Sequence, residues 1–461
     1  MNMMRCLACE STVSLVKKGV LLVCPACETG YPLVGGKTPV LLKEPTAYLA
    51  SAYLTLDRQI RADEQKFEQV AGQAANYPLS AKRLAAIAEA ERHNHQIFEE
   101  LLNDIDPHVS KRDLSAATDR PRSSVYMTLL EYLKRDWCWT AGGEQEINIT
   151  KDTLAPILEN LGTLDKALMM GGGMGRLAFE LADFFEQITV IDYSLGMSHL
   201  FQKLLDEDVA VYDIINKNLE EGENALKLRK ASISPDGKGF GETQRAKVTH
   251  YVADAKETPV PDDDLSVYFS IYFTDVLPLS QLLPEVKRVL KDQGYYIHFG
   301  PLDYHFDDAA EMYSGDELIE YFAKEGFKLL TSSSVTTNHC ETEHVFHIKT
   351  YQNLVYCFQL TKETPVSLMG KEVLRLNQGY NVSYALGVEN EVSAEIRFDN
   401  GEVYEGADLI VLILQEIDGQ KSVDELVKLF VERGLLASEE SSQLFSILEG
   451  FVDSGVLAVV L

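Results

Sequence analysis

The clearest alternation of apolar and polar positions begins at Leu164, in the stretch LDKALMMGGGMGRLAFELADFFEQITVIDYS. Leu164 to Met170 is short and mostly apolar, the pattern of a strand buried on both faces. Gly171, Gly172, Gly173 and Gly175 follow at once. Arg176 to Phe185 then sets Leu177, Leu181 and Phe184 at helical spacing. Ile188 to Ile191 reads as a second strand with Asp192 at its end. Further on, Leu195 to Leu205 is predicted helical, and Val248 to Ala253 is a strand running into Asp254. Leu265 to Phe273 is a strand with Thr274 and Asp275 at its end. Gln281 to Lys291 is a helix, Asp292-Gln293-Gly294 a turn, and Tyr295 to Phe299 a strand. A helix over Gly315 to Lys324 precedes a strand that starts at Phe327. The last strand, Leu354 to Leu360, follows a loop long enough to return antiparallel. The order predicts a doubly wound α/β sheet closed by an antiparallel hairpin. The polar segment Asp213 to Ala246, with Pro235-Asp236-Gly237 and Gly239-Phe240-Gly241, is expected to be a surface excursion.

The flanks follow other periods. Thr46 to Val70 and Leu79 to Ile105 carry apolar residues three and four apart and predict two helices, broken near Asn76-Tyr77-Pro78. The second contains His93-Asn94-His95, read as part of a solvated helix face. Ser123 to Trp139 and Asp152 to Leu161 predict two more helices. Past residue 365, Ala394 to Phe398 and Val403-Tyr404 flank Asp399-Asn400-Gly401, a hairpin signal. Asp408 to Glu416, a helix opened by the capping box Ser422 to Glu425, Ser438 to Ser454 and a strand from Val456 to Leu461 complete a small α+β domain.

Composition narrows the function. The 461 residues suit two to four domains. A net charge of −29 argues against nucleic acid or an anionic membrane as partner. No apolar run is long enough to span a bilayer, and no signal core opens the chain. Of seven cysteines, four lie as Cys6-x-x-Cys9 and Cys24-x-x-Cys27. Two such knuckles joined by a hairpin can aim four thiolates at one ion, a four-cysteine zinc ribbon with a structural Zn2+. That usage fits a reducing, cytoplasmic setting.

The glycine cluster is the other chemical feature. Glycines let a ligand approach backbone, and the helix start offers free N–H groups. Asp192, about 20 residues on, can accept from both hydroxyls of a ribose. A nicotinamide dinucleotide and S-adenosyl-L-methionine (SAM) both fit. The antiparallel final hairpin favours SAM, because it is the sheet of class I methyltransferases. Gly171, Gly173, Gly175, Arg176, Asp192, Tyr193 and Asp254 are the candidate cofactor residues, with Asp254 able to accept from an adenine amino group. A SAM-binding recruitment protein without turnover and a nicotinamide oxidoreductase remain the alternatives.

Several stretches resemble the carnosine N-methyltransferase family. Residues 171 to 180 resemble its G-A-G-L-G-R-L-A-F-E, and Asp192-Tyr193-Ser194 its E-F-S. Leu133 to Trp137 resembles its V-R-D-W, and Ile271 to Asp275 its F-F-I-D-T-A. Gly300 to Phe306 is similar to its G-P-L-L-Y-H-F, with Asp303 in place of leucine. The resemblance spans roughly residues 120 to 360. It implies methylation of an imidazole nitrogen in a small histidine-containing molecule or peptide, with Asp275 and His305 at the substrate; Tyr304 and Tyr356 are candidates to orient or enclose the ring, with a plain strand core position the alternative for Tyr356. The resulting organisation is a zinc ribbon (1–42), a helical region (43–150), a Rossmann-like class I methyltransferase domain (151–364) and a winged-helix-like α+β domain (365–461). The last resembles the peptide chaperones of pyrroloquinoline-quinone synthesis, which implies peptide binding; packing or homodimer formation is the alternative.

Overall fold

Seven strands form the central sheet of the computed structural model: β1 (Lys166–Met170), β2 (Gln187–Asp192), β3 (Val248–Val252), β4 (Leu265–Ile271), β5 (Leu290–Gly300), β6 (Phe327–His339) and β7 (Lys349–Leu360). Their order across the sheet is β3-β2-β1-β4-β5-β7-β6. The first five are parallel, and β7 runs antiparallel to both β5 and β6. The structure describes residues 3–117, 124–215, 219, 221–237, 239–343, 348–362, 371–386, 392–399, 403–406, 408–436 and 441–460.

Alternation along β1 explains why the sheet is covered on both sides. Ala167 and Met169 point into one core with Trp137, Phe179 and Phe269, while Leu168 and Met170 point into another with Tyr268, Tyr296 and Phe322. Every residue of β4 is buried. The chain order reverses between β1 and β4, which places a ligand crevice at the carboxyl ends of these strands.

The amino-terminal elements belong to the same unit as the sheet, Met1–Lys362, so the sequence boundaries at 42 and 150 do not mark separate bodies. Val40 forms a parallel bridge with Val252 of β3, and the Leu41 amide donates to the Val252 carbonyl at 2.8 Å. The ribbon core of Met4, Cys6, Leu7 and Leu22 includes Tyr251 among its neighbours. Helices α1 (Pro45–Asn76) and α2 (Ala81–Ile105) form a hairpin, with Leu49, Leu56 and Leu101 packed beside Leu195 and Val252. Helices α3 (Ser124–Trp137) and α4 (Ala141–Glu159) lead into β1; the predicted start of α3 at Ser123 lies outside the described residues.

Two expectations are corrected. The segment from Asp213 is a surface excursion only in part: Glu221, Glu223, Lys227 and Lys230 are exposed, but the segment is anchored to the fold. Val209–Ile214 and Leu226–Ala231 pair antiparallel, buried Asp213 is bonded to Lys134 at 2.9 Å, and Phe240 packs on Phe179 with ring centroids 5.1 Å apart. Several of the charges that suggested solvent, on Asp213, Lys227, Arg229 and Lys230, are used in ion pairs. His93-Asn94-His95 is not a solvated face. Asn94 exchanges two hydrogen bonds with the Tyr212 backbone, at 2.7 and 2.8 Å, and His95 is buried.

The second unit, Glu363–Leu461, is described by itself. Val373–Leu376 pairs with Leu457–Val460, and Tyr380–Leu386, Val392–Phe398 and Val403–Gly406 form a three-stranded sheet. Helices Asp408–Glu416, Val423–Glu432 and Ser441–Asp453 cover a core of Leu374, Phe398, Leu426 and Phe430. Asn400, Gly401, Ser438 and Leu461 lie outside the described residues. Among the described residues, no helix is long and apolar enough to cross a membrane.

Candidate active site

The glycine turn sits where β1 ends. Gly171 has φ +71°, and a Cβ there would lie 1.9 Å from the Ile271 carbonyl oxygen of β4. Gly173 has φ +56°, and its Cβ would meet Arg135 Nη2 at 2.8 Å. Both positions therefore exclude a side chain on two counts. Gly175 begins the short helix α5 (Arg176–Glu180). Asp136, fully buried, accepts from the Met174 amide at 2.9 Å, and the Trp137 indole donates to the Met174 carbonyl at 2.9 Å. The turn is thus gripped from both sides by consecutive residues of α3.

Arg176 is placed differently from the sequence expectation. Its guanidinium is buried against the Asp136 carbonyl (3.0 Å), Glu180 (2.8 Å), Glu144 (3.0 Å) and the Trp139 ring (3.8 Å to the centroid). Those partners leave it bracing α5 against α3 and α4. The guanidinium that faces the glycine turn is Arg135. It donates to Asp136 at 2.6 Å, lies 3.5 Å from Glu146 and covers the Tyr132 ring at 4.8 Å. Burial alone would lower its pKa, but the Asp136 and Glu146 carboxylates outweigh that and hold it charged.

Asp192 ends β2 and accepts from the Ser194 amide at 2.7 Å. Burial pushes its carboxyl up to about 6, against the pull of that amide. Next to it, the Tyr193 carbonyl takes a 2.6 Å bond from Tyr48 of α1, whose ring meets Tyr193 edge-on at 5.0 Å. The same Tyr48 hydroxyl accepts from the Leu195 amide. Asp254 stands after β3 and caps its own turn, accepting from the Lys256 amide at 2.9 Å.

Of the residues expected at the methyl acceptor, Asp275, Tyr304 and His305 follow the ends of β4 and β5, whereas Tyr356 is a buried residue within β7, opposite His298. Asp275 is buried, and burial raises its pKa despite the Asp303 amide that donates to Oδ2 at 2.9 Å. The His305 amide donates to the Asp275 carbonyl at 2.8 Å, so the 303–305 loop is clamped to Asp275 by two bonds. Tyr304 donates to the Tyr313 carbonyl at 2.6 Å. Tyr356 stacks on His298, with ring centroids 5.8 Å apart.

Two buried histidines and a polar cluster went unnoticed in the sequence. His298 Nε2 faces the Gly300 carbonyl at 3.1 Å, which only a donor can satisfy, so its Nδ1 accepts from Thr274 at 2.7 Å. His250 likewise donates to the Gly173 carbonyl at 3.1 Å and accepts from Ser198 at 2.9 Å. Burial drives both to about 4, keeping them neutral. Glu146, beside Arg135, accepts from His339 at 3.0 Å and from the Cys340 amide at 2.8 Å. Burial opposes its charge, yet Arg135 and His339 hold it below the usual carboxylate range. The Tyr272 ring lies 5.4 Å from His339 and 6.1 Å from Tyr351. Tyr132 feels the charges of both Arg135 and Asp192. Only the Arg135-Asp136-Trp137 triplet carried a sequence signal, through the family resemblance.

Away from the crevice, the four ribbon cysteines converge. Cys6 and Cys27 sulfurs are 3.7 Å apart, Cys9 and Cys24 sulfurs 3.8 Å apart, and all four lie within 4.8 Å of one another. Four sulfurs at ~2.3 Å from a tetrahedral ion are about 3.8 Å apart, so the spacing fits zinc. Both knuckles share one backbone form. Glu10 and Glu28 each have φ +62°, and each amide returns to the first cysteine's carbonyl, at 2.8 and 2.9 Å.

The strand order, the antiparallel β7 and the glycine turn ahead of an acid-tipped β2 define a class I methyltransferase fold. A family model described as carnosine N-methyltransferase matches residues 113–362, more than half of the chain, and the chain belongs to that family. The carnosine N-methyltransferase of Schizosaccharomyces pombe (strain 972 / ATCC 24843) is 24% identical over 243 residues, 46% of this chain and 64% of that protein. Among solved structures, a SAM-dependent methyltransferase from Methanosarcina mazei aligns with 45% of this chain and 98% of its own, at 18% identity and a TM-score of 0.31. The [4+2]-cyclase SpnF aligns with 52% of this chain and 93% of its own, at 13% identity and a TM-score of 0.34.

Proposed function

We propose that this chain transfers a methyl group from SAM to a ring nitrogen of an imidazole in a small histidine-containing molecule. The observation that carries the reading is the buried Asp275 carboxylate, clamped to the His305 loop in a chain of this family. When bound, SAM supplies an electrophilic methyl group on a sulfonium centre. Gly171, Gly173 and Gly175 would admit its backbone-hugging part, Arg135 would pair with its amino-acid carboxylate, and Asp192 with Tyr193 would hold the ribose. Asp254 would face the adenine. Arg176 acts at one remove, through α5.

A neutral imidazole carries one N–H and one lone pair. Asp275 accepts from the N–H, which fixes the tautomer and aims the lone pair at the methyl carbon. As methylation proceeds the ring gains positive charge, and the buried carboxylate stabilises it. His305 and Tyr304 border the ring, and in-line positioning in a water-poor site supplies much of the remaining rate. Cys6, Cys9, Cys24 and Cys27 would hold a Zn2+ through four thiolates, a ligand set that would give it a structural role.

The test offers SAM with histidine, histidine dipeptides and histidine-containing peptides, and locates the added methyl by tandem mass spectrometry. A ring-methylated small molecule supports the proposal. Methyl transfer only to a carboxylate, thiol or lysine would sink it.

Cofactor affinity carries a pH signature. Asp192 must be ionised to accept from two ribose hydroxyls, and its pKa lies at about 6. SAM affinity should be flat above neutral pH and fall toward tenfold per unit below about 6. Asp192→Ala should cost about 1 kcal/mol or more of binding at pH 8 and flatten the acid limb. Calorimetry at several pH values decides; an acid limb that persists in the alanine variant would assign it to another group.

A further inference from the structure

His95 lies on α2 in a setting that ordinary core packing does not explain. It is 5% exposed, with Phe67 edge-on at 5.3 Å and Phe98 at 6.4 Å. Its Nε2 is buried and has no hydrogen-bond partner. That nitrogen points at Glu99 Oε1 from 3.8 Å, and Nδ1 points at Asp63 Oδ2 from 3.9 Å. Both separations are too long for a hydrogen bond. Glu64, on α1 beside Asp63, brings a third donor, and one ligand atom each from Glu64, His95 and Glu99 falls within 4.8 Å of the others.

An unsatisfied buried nitrogen costs on the order of 1–3 kcal/mol. A cation between the three groups removes that cost and the repulsion between two carboxylates. Nitrogen and oxygen ligands sit ~2.0–2.2 Å from a zinc-like ion, so two ligands of one ion lie roughly 3–4 Å apart. The His95–Glu99 separation already has this value, and the exposed Glu64 and Glu99 side chains are free to adjust. Asp63 stands where the outer carboxylate of a metal-bound histidine stands, opposite the coordinating nitrogen.

We propose that Glu64, His95 and Glu99 form a second metal site, taking a divalent first-row cation such as Zn2+ and bolting α1 to α2. One imidazole and two carboxylates suit a borderline ion. Three protein ligands at an exposed edge leave a position for water. The site is independent of the four cysteines and lies outside the residues matched by the family model. Its effect reaches the crevice through α1, which carries the Tyr48 hydroxyl bonded to Tyr193.

The test titrates metal-stripped, reduced, full-length protein with Co2+. Thiolate ligation produces a sulfur-to-cobalt charge-transfer band, whereas imidazole and carboxylate ligation does not. The expected result is one equivalent bound with the band and one without it. The Glu64→Gln/Glu99→Gln double variant alters exposed side chains, and circular dichroism checks its fold. It should keep the first equivalent and lose the second, while Cys24→Ser should do the reverse. The proposal is overturned if no equivalent lacking the band binds to the wild-type chain, or if that equivalent survives in the folded double glutamine variant.

Discussion

Asp275→Asn should lower turnover by a factor on the order of 10² or more while leaving SAM affinity little changed. The substitution separates two roles. Asparagine keeps an oxygen that can accept from the Asp303 amide, so the 2.9 Å clamp on the loop survives. It removes the charge, which matters only as the imidazole becomes an imidazolium. Its burial makes that charge costly in the resting protein, as the raised pKa shows, and correspondingly effective against a developing cation. His305→Ala should also reduce turnover more than SAM binding. If Asp275 served only to hold the loop, the asparagine variant would turn over at close to the wild-type rate. Single-turnover kinetics with saturating SAM distinguish these outcomes.

The sheet was legible because burial on two faces leaves short apolar runs between helical periods. β1, β2 and β4 announce themselves in this way, and β7 is antiparallel as expected, but the residues read as a long return loop before it are strand, since β6 runs on to His339 and β7 already starts at Lys349. The glycine turn was legible for a related reason, since few residues tolerate the positive φ of Gly171, Gly173 and Gly175. What pattern reading missed was polar groups whose partners are remote in sequence. Arg135 meets Glu146, and Glu146 meets His339 nearly two hundred residues on. Nothing local distinguishes His250 or His298 from other strand residues; their roles come from the carbonyls of Gly173 and Gly300. The Asp213 hairpin was misread for the same cause, because its charges are satisfied by Lys134 and Arg229. Arg176 was given to the cofactor by its place after the glycines, and only the fold shows Trp139 and Glu144 claiming it. Tyr48 could not be found at all, since α1 carries no motif and reaches Tyr193 only through tertiary packing.

Asp136→Ala should strongly destabilise the sheet unit, by about 3 kcal/mol or more. Asp136 is completely buried and accepts from two buried donors, the Arg135 guanidinium and the Met174 amide. Truncation strands the Met174 amide and removes the shorter of Arg135's two carboxylate partners. The cost should fall toward the lower end of the range for broken buried pairs, because Glu146 still faces Arg135 at 3.5 Å. Asp136→Asn retains an acceptor for Met174 and should be less harmful. The chain makes the measurement selective. It has two tryptophans, Trp137 and Trp139, both beside this aspartate, so fluorescence during urea unfolding reports the sheet unit and not the carboxyl-terminal one. The alanine variant should unfold at markedly lower urea and bind SAM more weakly, since Gly173 and Met174 lose their anchor. A fluorescence transition at the wild-type urea concentration would show that the glycine turn holds its shape without Asp136.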